Sequence, residues 1–208
     1  MKKHILIIAA ALLVAAAPLN AQSKSEAKDI RKEAKAAARQ LRKEGYSILG
    51  VGEPVSQLTL YLTRVRGGCT QIIGTADGCM SVNLGKVTAL NNAANEYATL
   101  SGGLVKGRLT SSLIGISEQQ ADDLVGAYER LVYKNIQGEL ISPLVVYRKT
   151  GDGYDVRAYC LVDYDSSGIA QEAAFRKALE SSGLAQEFGS RLTDWIDEGF
   201  TGTGLERH

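Results

Sequence analysis

The chain has 208 residues, 45% of them apolar and 23% charged, with a formal net charge of +1. That size and apolar content specify one ordinary domain with its own core and exclude wholesale disorder. Near-neutral charge argues against a dedicated nucleic-acid binder, which carries a basic face on its body.

Lys2 and Lys3 open the chain, Ile5 to Ala17 is an uncharged apolar run, and Leu19-Asn20-Ala21 places a small residue before Gln22. That order predicts a secretory signal peptide over 1–21, cleaved after Ala21. The run falls short of the about 20 residues that span a bilayer as a helix. The mature chain is therefore expected to begin near Gln22 and to work in the periplasm or after secretion. No Cys follows the expected cleavage site, so a lipid anchor is not expected.

Residues 22–45 read as a charged helical arm. Ala27, Ile30, Ala34, Ala37 and Leu41 recur at steps of three and four, and Gly45 is a natural stop. The stretch 24–44 holds eight basic and four acidic residues, a net of +4, whereas 45–208 nets −5. The apolar stripe is narrow and made largely of methyl groups. Such a helix is marginal alone and must lean on its own body, on a partner chain, or on an anionic membrane surface.

Residues 46–200 read as a single domain. An extended link over 46–52 leads to Pro54, which suits the first turn of a helix. Val55, Leu58, Leu62 and Val65 fit one face of that helix, and Gly67-Gly68 ends it, although Leu58, Leu60 and Leu62 fit strand alternation equally. Cys69 to Ala76 reads as a strand. A helix over 84–100 puts Val87, Leu90, Ala94 and Tyr97 inward and is expected to end at Ser101-Gly102-Gly103. The stretch 104–116 carries no clear assignment; a continued helix is one reading of it, despite Gly107 and Gly115.

Ser117 and Gln120 form a capping box for a helix whose broad stripe includes Ala121, Leu124, Val125, Tyr128 and Val132. Leu140 to Lys149, the turn Thr150-Gly151-Asp152-Gly153, and Tyr154 to Asp163 form a β-hairpin. Tyr154, Val156, Ala158, Cys160 and Val162 share one side, and Pro143 marks a strand edge. Helices over 169–182 and from Leu184 to about Glu198 follow, then a frayed tail, 201–208. The expected fold is α+β: a small three-stranded sheet covered by helices on one face, with the amino-terminal helical arm.

The body from 69 to 198, about two thirds of the chain, resembles the conserved twenty-kilodalton envelope lipoprotein family and its secreted relatives. The resemblance rests on a strand–helix–helix–strand–strand–helix order. It also rests on the Gly74-Thr75-Ala76 strand end, the run Gly85 to Ala98, and the Val145–Tyr147 and Val156–Tyr159 hairpin. The stretch Ala34 to Tyr46 is similar to that of exported proteins from Bacteroides-like bacteria. The missing lipid-attachment Cys departs from the family. The resemblance implies an envelope or secreted protein with a binding or structural role and transfers no catalytic residue.

The mature chain holds one histidine, His208, since His4 leaves with the signal peptide. Histidine-dependent nucleophilic catalysis and most zinc sites are thereby excluded. No phosphate-cradling or dinucleotide motif occurs. No catalytic, cofactor or metal residue is assigned, and the expected function is non-enzymatic: protein binding, including self-association, or a structural role. The alternative is a glycosidase-like hydrolase working through paired carboxylates. It needs an aromatic-lined cleft, and the one Trp, Trp195, falls on a core stripe.

Asp163 to Gly168 matches the first half of a calcium loop, but its twelfth position is Ala174. A strand-to-helix turn explains it as well. Tyr128, Tyr133, Tyr147, Tyr154, Tyr159 and Tyr164 suit either a binding face or the rim of a sheet. Cys69, Cys79 and Cys160 are an odd set, which leaves at least one thiol unpaired within the chain. Cys69 and Cys79 bridge only if 75–78 turns; at the ends of one strand they lie about 30 Å apart.

Overall fold

The hairpin lies at the centre of the sheet. In a computed structural model of the chain, residues 24–112, 116–136 and 140–184 are described. They form α1 (Lys24–Lys43), β1 (Ser47–Leu49), α2 (Pro54–Arg66), β2 (Thr70–Cys79), α3 (Val82–Ser112), α4 (Glu118–Ile136), β3 (Ile141–Thr150), β4 (Gly153–Val162) and α5 (Tyr164–Ser182). The fold is α+β, and the run from β2 to α5 keeps the strand–helix–helix–strand–strand–helix order. The expected signal peptide, the helix to Glu198 and the tail lie outside the described residues.

The sheet has four antiparallel strands, ordered β1-β3-β4-β2, where the sequence suggested three. The extra strand, β1, hides within the 46–52 link. Its three residues, Ser47, Ile48 and Leu49, are too few to display alternation. It pairs only with Val145, Val146 and Tyr147, so Pro143 lies beyond it and interrupts no β1 bond.

Helices cover both faces, not one. Val156, Ala158, Cys160 and Val162 of β4 face a large core shared with α3, α4 and α5. Leu144 and Val146 of β3, with Tyr159 and Leu161 of β4, face a second core shared with Ala34 and Leu41 of α1 and Leu58 and Tyr61 of α2. The reason is in the strands. Leu144, Val145 and Val146 are consecutive and all buried, so β3 is apolar on both sides and needs two covers. The arm is one of them: α1 lies on α2, and Ile30, Ala34 and Leu41 are buried.

α3 runs straight through Ser101-Gly102-Gly103, which the sequence suggested as a stop. Ser101 is buried, and Gln171 of α5 donates to its hydroxyl (3.4 Å) and to the Tyr97 hydroxyl. A Cβ added at Gly103 meets nothing within 4 Å. Gly103→Ala is therefore expected to stabilise the helix by up to ~1 kcal/mol and raise Tm by about 2–4 °C. A lowered Tm in a calorimetric scan would contradict a continuous α3.

The inward face of α3 holds Ala94, Tyr97 and the half-buried Leu90 as expected, but Val87 is 55% exposed. The inward set is Gly85, Ala89, Ala93, Ala94 and Tyr97. Gly74 of β2 explains it. A Cβ there would sit 1.8 Å from the Ala89 carbonyl oxygen and 2.7 Å from the Ala93 nitrogen. The helix backbone rests directly on the strand, which only small residues permit, and β-branched Val87 is turned outward.

Local signals elsewhere act as expected. Ser117 and Gln120 close a reciprocal capping box, Gln120 N to Ser117 Oγ at 3.2 Å and Ser117 N to Gln120 Oε1 at 3.0 Å. Pro54 opens α2. α5 begins at Tyr164, five residues before the expected start, so 164–168 is helical backbone and lacks the loop conformation of a calcium site. Cys69 precedes β2 and Cys79 ends it, so no bridge joins them. Cys160 is buried, and burial pushes its thiol up to about 11.

Candidate functional site

The edge strand β2 is built to expose main chain. The two-residue turn at Gly151 and Asp152 makes Thr150 and Gly153 a hydrogen-bonded pair. Odd residues of β4 then bond to β3 and even ones to β2. On β2, residues 72, 74 and 76 bond inward, and Gln71, Ile73 and Thr75 turn their N–H and C=O groups outward. Asn92 Nδ2 of α3 donates to the Thr75 carbonyl at 2.7 Å from that outer side. No other strand pairs with this edge among the described residues.

The side chains of those odd residues lie on the α1–α2 face, where α2 reaches only the near end. The Tyr61 hydroxyl donates to Gln71 Oε1. Beyond it, Ile73 is 39% exposed, and Thr75 and Asp77 are exposed. Natural edges are blunted by Lys, Pro or bulges. From Thr70 to Ala76 this edge carries none; its register shift comes only between Ala76 and Cys79.

Beside the edge lies a paired-arginine shelf. Gly45, at φ 81°, ends α1 in a Schellman turn: Tyr46 N donates to Leu41 O at 2.8 Å and Gly45 N to Arg42 O at 3.1 Å. That turn drops Tyr46 onto the sheet, where it is 5% exposed. Arg148 Cζ stands 5.0 Å and Arg157 Cζ 4.7 Å from its ring centroid.

Arg148 also donates two bonds to Asp155 Oδ2, from Nε at 3.0 Å and Nη2 at 2.8 Å. Gly78 N donates to Asp155 Oδ1 at 3.1 Å, tying in the end of β2. Burial pushes the Asp155 carboxyl up. The Arg148 and Gly78 bonds and the charges of Arg148 and Arg157 outweigh it, and the net shift is downward. Burial raises the Tyr46 phenol, although both arginines pull it down. Arg157 is half-buried and has no ion-pair partner among the described residues. It lies one strand in from the edge, directly opposite Thr75.

The described tyrosine side chains are divided between the two cores. Tyr128 meets Phe175 edge-on at 5.9 Å, and Tyr147 meets Tyr154 at 6.4 Å against the large core. Tyr159 meets Tyr61 at 5.8 Å in the second core. Trp195 lies outside the described residues. The shelf residues were overlooked in the sequence, although the turn itself places Arg148 opposite Asp155.

A scan against protein-family models, a search of curated proteins and a search of solved structures each return no match for this chain. No helix among the described residues is long and apolar enough to cross a membrane.

Proposed function

We propose that this is an exported envelope protein, periplasmic or secreted, with a non-enzymatic, protein-binding role, and that it binds by accepting a strand along β2. The observation that carries the reading is the outward main chain of Gln71, Ile73 and Thr75, of which the Thr75 carbonyl accepts from Asn92, on an edge with no Lys, Pro or bulge from Thr70 to Ala76. Strand addition supplies affinity through main-chain bonds and specificity through alternate side chains. Ile73 calls for an apolar neighbour on the added strand. An extended segment with an apolar side chain opposite Ile73, from another protein or from a second copy of this chain, meets that demand.

The test is a photo-crosslinking residue placed at Thr75 in the producing cell, with Ile73→Pro as the blocking variant. The Ile73 N–H points outward, so proline there removes an outer donor and spares the β2–β4 ladder. The expected result is a discrete protein adduct that disappears in Ile73→Pro while the melting transition persists. No adduct, or one indifferent to Ile73→Pro, contradicts strand addition.

A further inference from the structure

The outer face of α1 carries charge in a pattern that neither core nor sheet uses. At 3.6 residues per turn, its side chains fall into three sectors. Ile30, Ala34 and Leu41 fall together and are buried. Glu26, Asp29, Glu33 and Glu44 fall on one flank, where Glu33 accepts from Arg66 at 2.6 Å and Glu44 from Gln40 at 2.6 Å.

The basic residues occupy the third sector, opposite the buried one. Lys28, Lys35 and Arg39 run along its middle, Arg31 and Arg42 along one side, and Lys32 and Lys43 along the other. All seven are exposed, and none has an ion-pair partner among the described residues. They fit within an arc of about 120° and a length of about 22 Å. No acidic or aromatic side chain interrupts the arc.

We infer that this ridge docks the protein on an anionic lipid bilayer, by charge and without insertion. A plane can meet the whole ridge at once. Clusters of four to eight Lys and Arg on one helix face are of the kind that bind anionic headgroups. The arc has no apolar side chain to anchor, so attachment is reversible and fades with salt. A nucleic acid suits the ridge less well. Residues 45–208 net −5, which repels a polyanion that wraps the body but leaves contact through the ridge alone undisturbed. The ridge is separate from the β2 edge, so either can fail without the other.

The experiment is flotation of the mature chain, from Gln22 onward, with vesicles of phosphatidylcholine alone or with about 30 mol% phosphatidylglycerol. Two charge-matched variants accompany it. One is Lys28→Gln, Lys32→Gln, Lys35→Gln and Arg39→Gln on the ridge; the other is Lys86→Gln, Lys134→Gln, Lys149→Gln and Lys177→Gln elsewhere, all eight exposed. The expected result is binding to the anionic vesicles only, lost at about 0.5 M salt. Each ridge charge removed should weaken binding about fivefold, so the ridge variant loses several hundredfold and the other variant little. Circular-dichroism melting checks that both remain folded. No flotation, or equal loss in both variants, overturns the proposal. So does a duplex DNA competitor that strips the protein from vesicles at equal charge concentration, since that outcome assigns the ridge to a soluble polyanion.

Discussion

Gly74→Ala is expected to melt at least about 6 °C below the parent chain, with a loss of ~3 kcal/mol or more. The clash is with main chain: the new methyl would lie 1.8 Å from the Ala89 carbonyl oxygen and 2.7 Å from the Ala93 nitrogen. No side-chain rotation relieves it. Either α3 lifts from β2 or β2 shears along β4, and both movements open the large core. Gly85→Ala is the graded control. Its Cβ meets Val156 Cγ2 at 2.4 Å, an atom of a side chain, so part of the overlap is relieved by repacking. Scanning calorimetry on the two variants checks the order. A Gly74→Ala chain that melts within a degree or two of the parent would mean that α3 does not lie on the strand.

Asp155→Asn is the second large effect, at about 2 kcal/mol, because it removes the charge that faces two guanidiniums over Tyr46. Its pH dependence separates charge from shape. The folded-state carboxyl titrates below its ordinary 3.8. The stability it adds is therefore complete above the unfolded value and drains away as pH falls through the lowered folded one. Denaturant melts should show the full gap between parent and variant near pH 6. The gap should close as pH drops below about 3.8. A gap that stays constant down to about pH 2 would show that shape, not charge, is at stake.

What the sequence made legible tracks how local each signal is. The capping box at Ser117 and Gln120, Pro54 at a helix start, and the Gly151–Asp152 turn each act over a few residues, and each stands where expected. β1 was not legible. Ser47 to Leu49 is a strand only because β3 offers Val145 to Tyr147 as partners, a long-range fact. Position 87 of α3 was misread for a related reason. Valine at position 87 looks like core by hydropathy, but the contact distance set by Gly74 admits only glycine and alanine. Helix coverage of both faces was readable in principle, since Tyr159 and Leu161 alternate with the side chosen as buried.

The candidate site was half legible. Arg148 and Asp155 are seven apart across a two-residue turn, which makes them cross-strand neighbours by arithmetic. Tyr46 beneath them depends on the Schellman turn at Gly45 and on β1, and no local pattern predicts it. The openness of β2 depends on strand order. With β1 paired to β3, the hairpin takes the middle of the sheet and β2 is left as an edge.

That open edge can be read amide by amide. In hydrogen exchange followed by NMR on the dilute chain, the amides of Ile72, Gly74 and Ala76 should be protected and those of Gln71 and Ile73 should exchange fast. On the complex isolated by crosslinking at Thr75, Gln71 and Ile73 should become as slow as their neighbours. Odd and even amides equally protected in the dilute chain, or odd amides still fast in the complex, would contradict a strand-accepting edge.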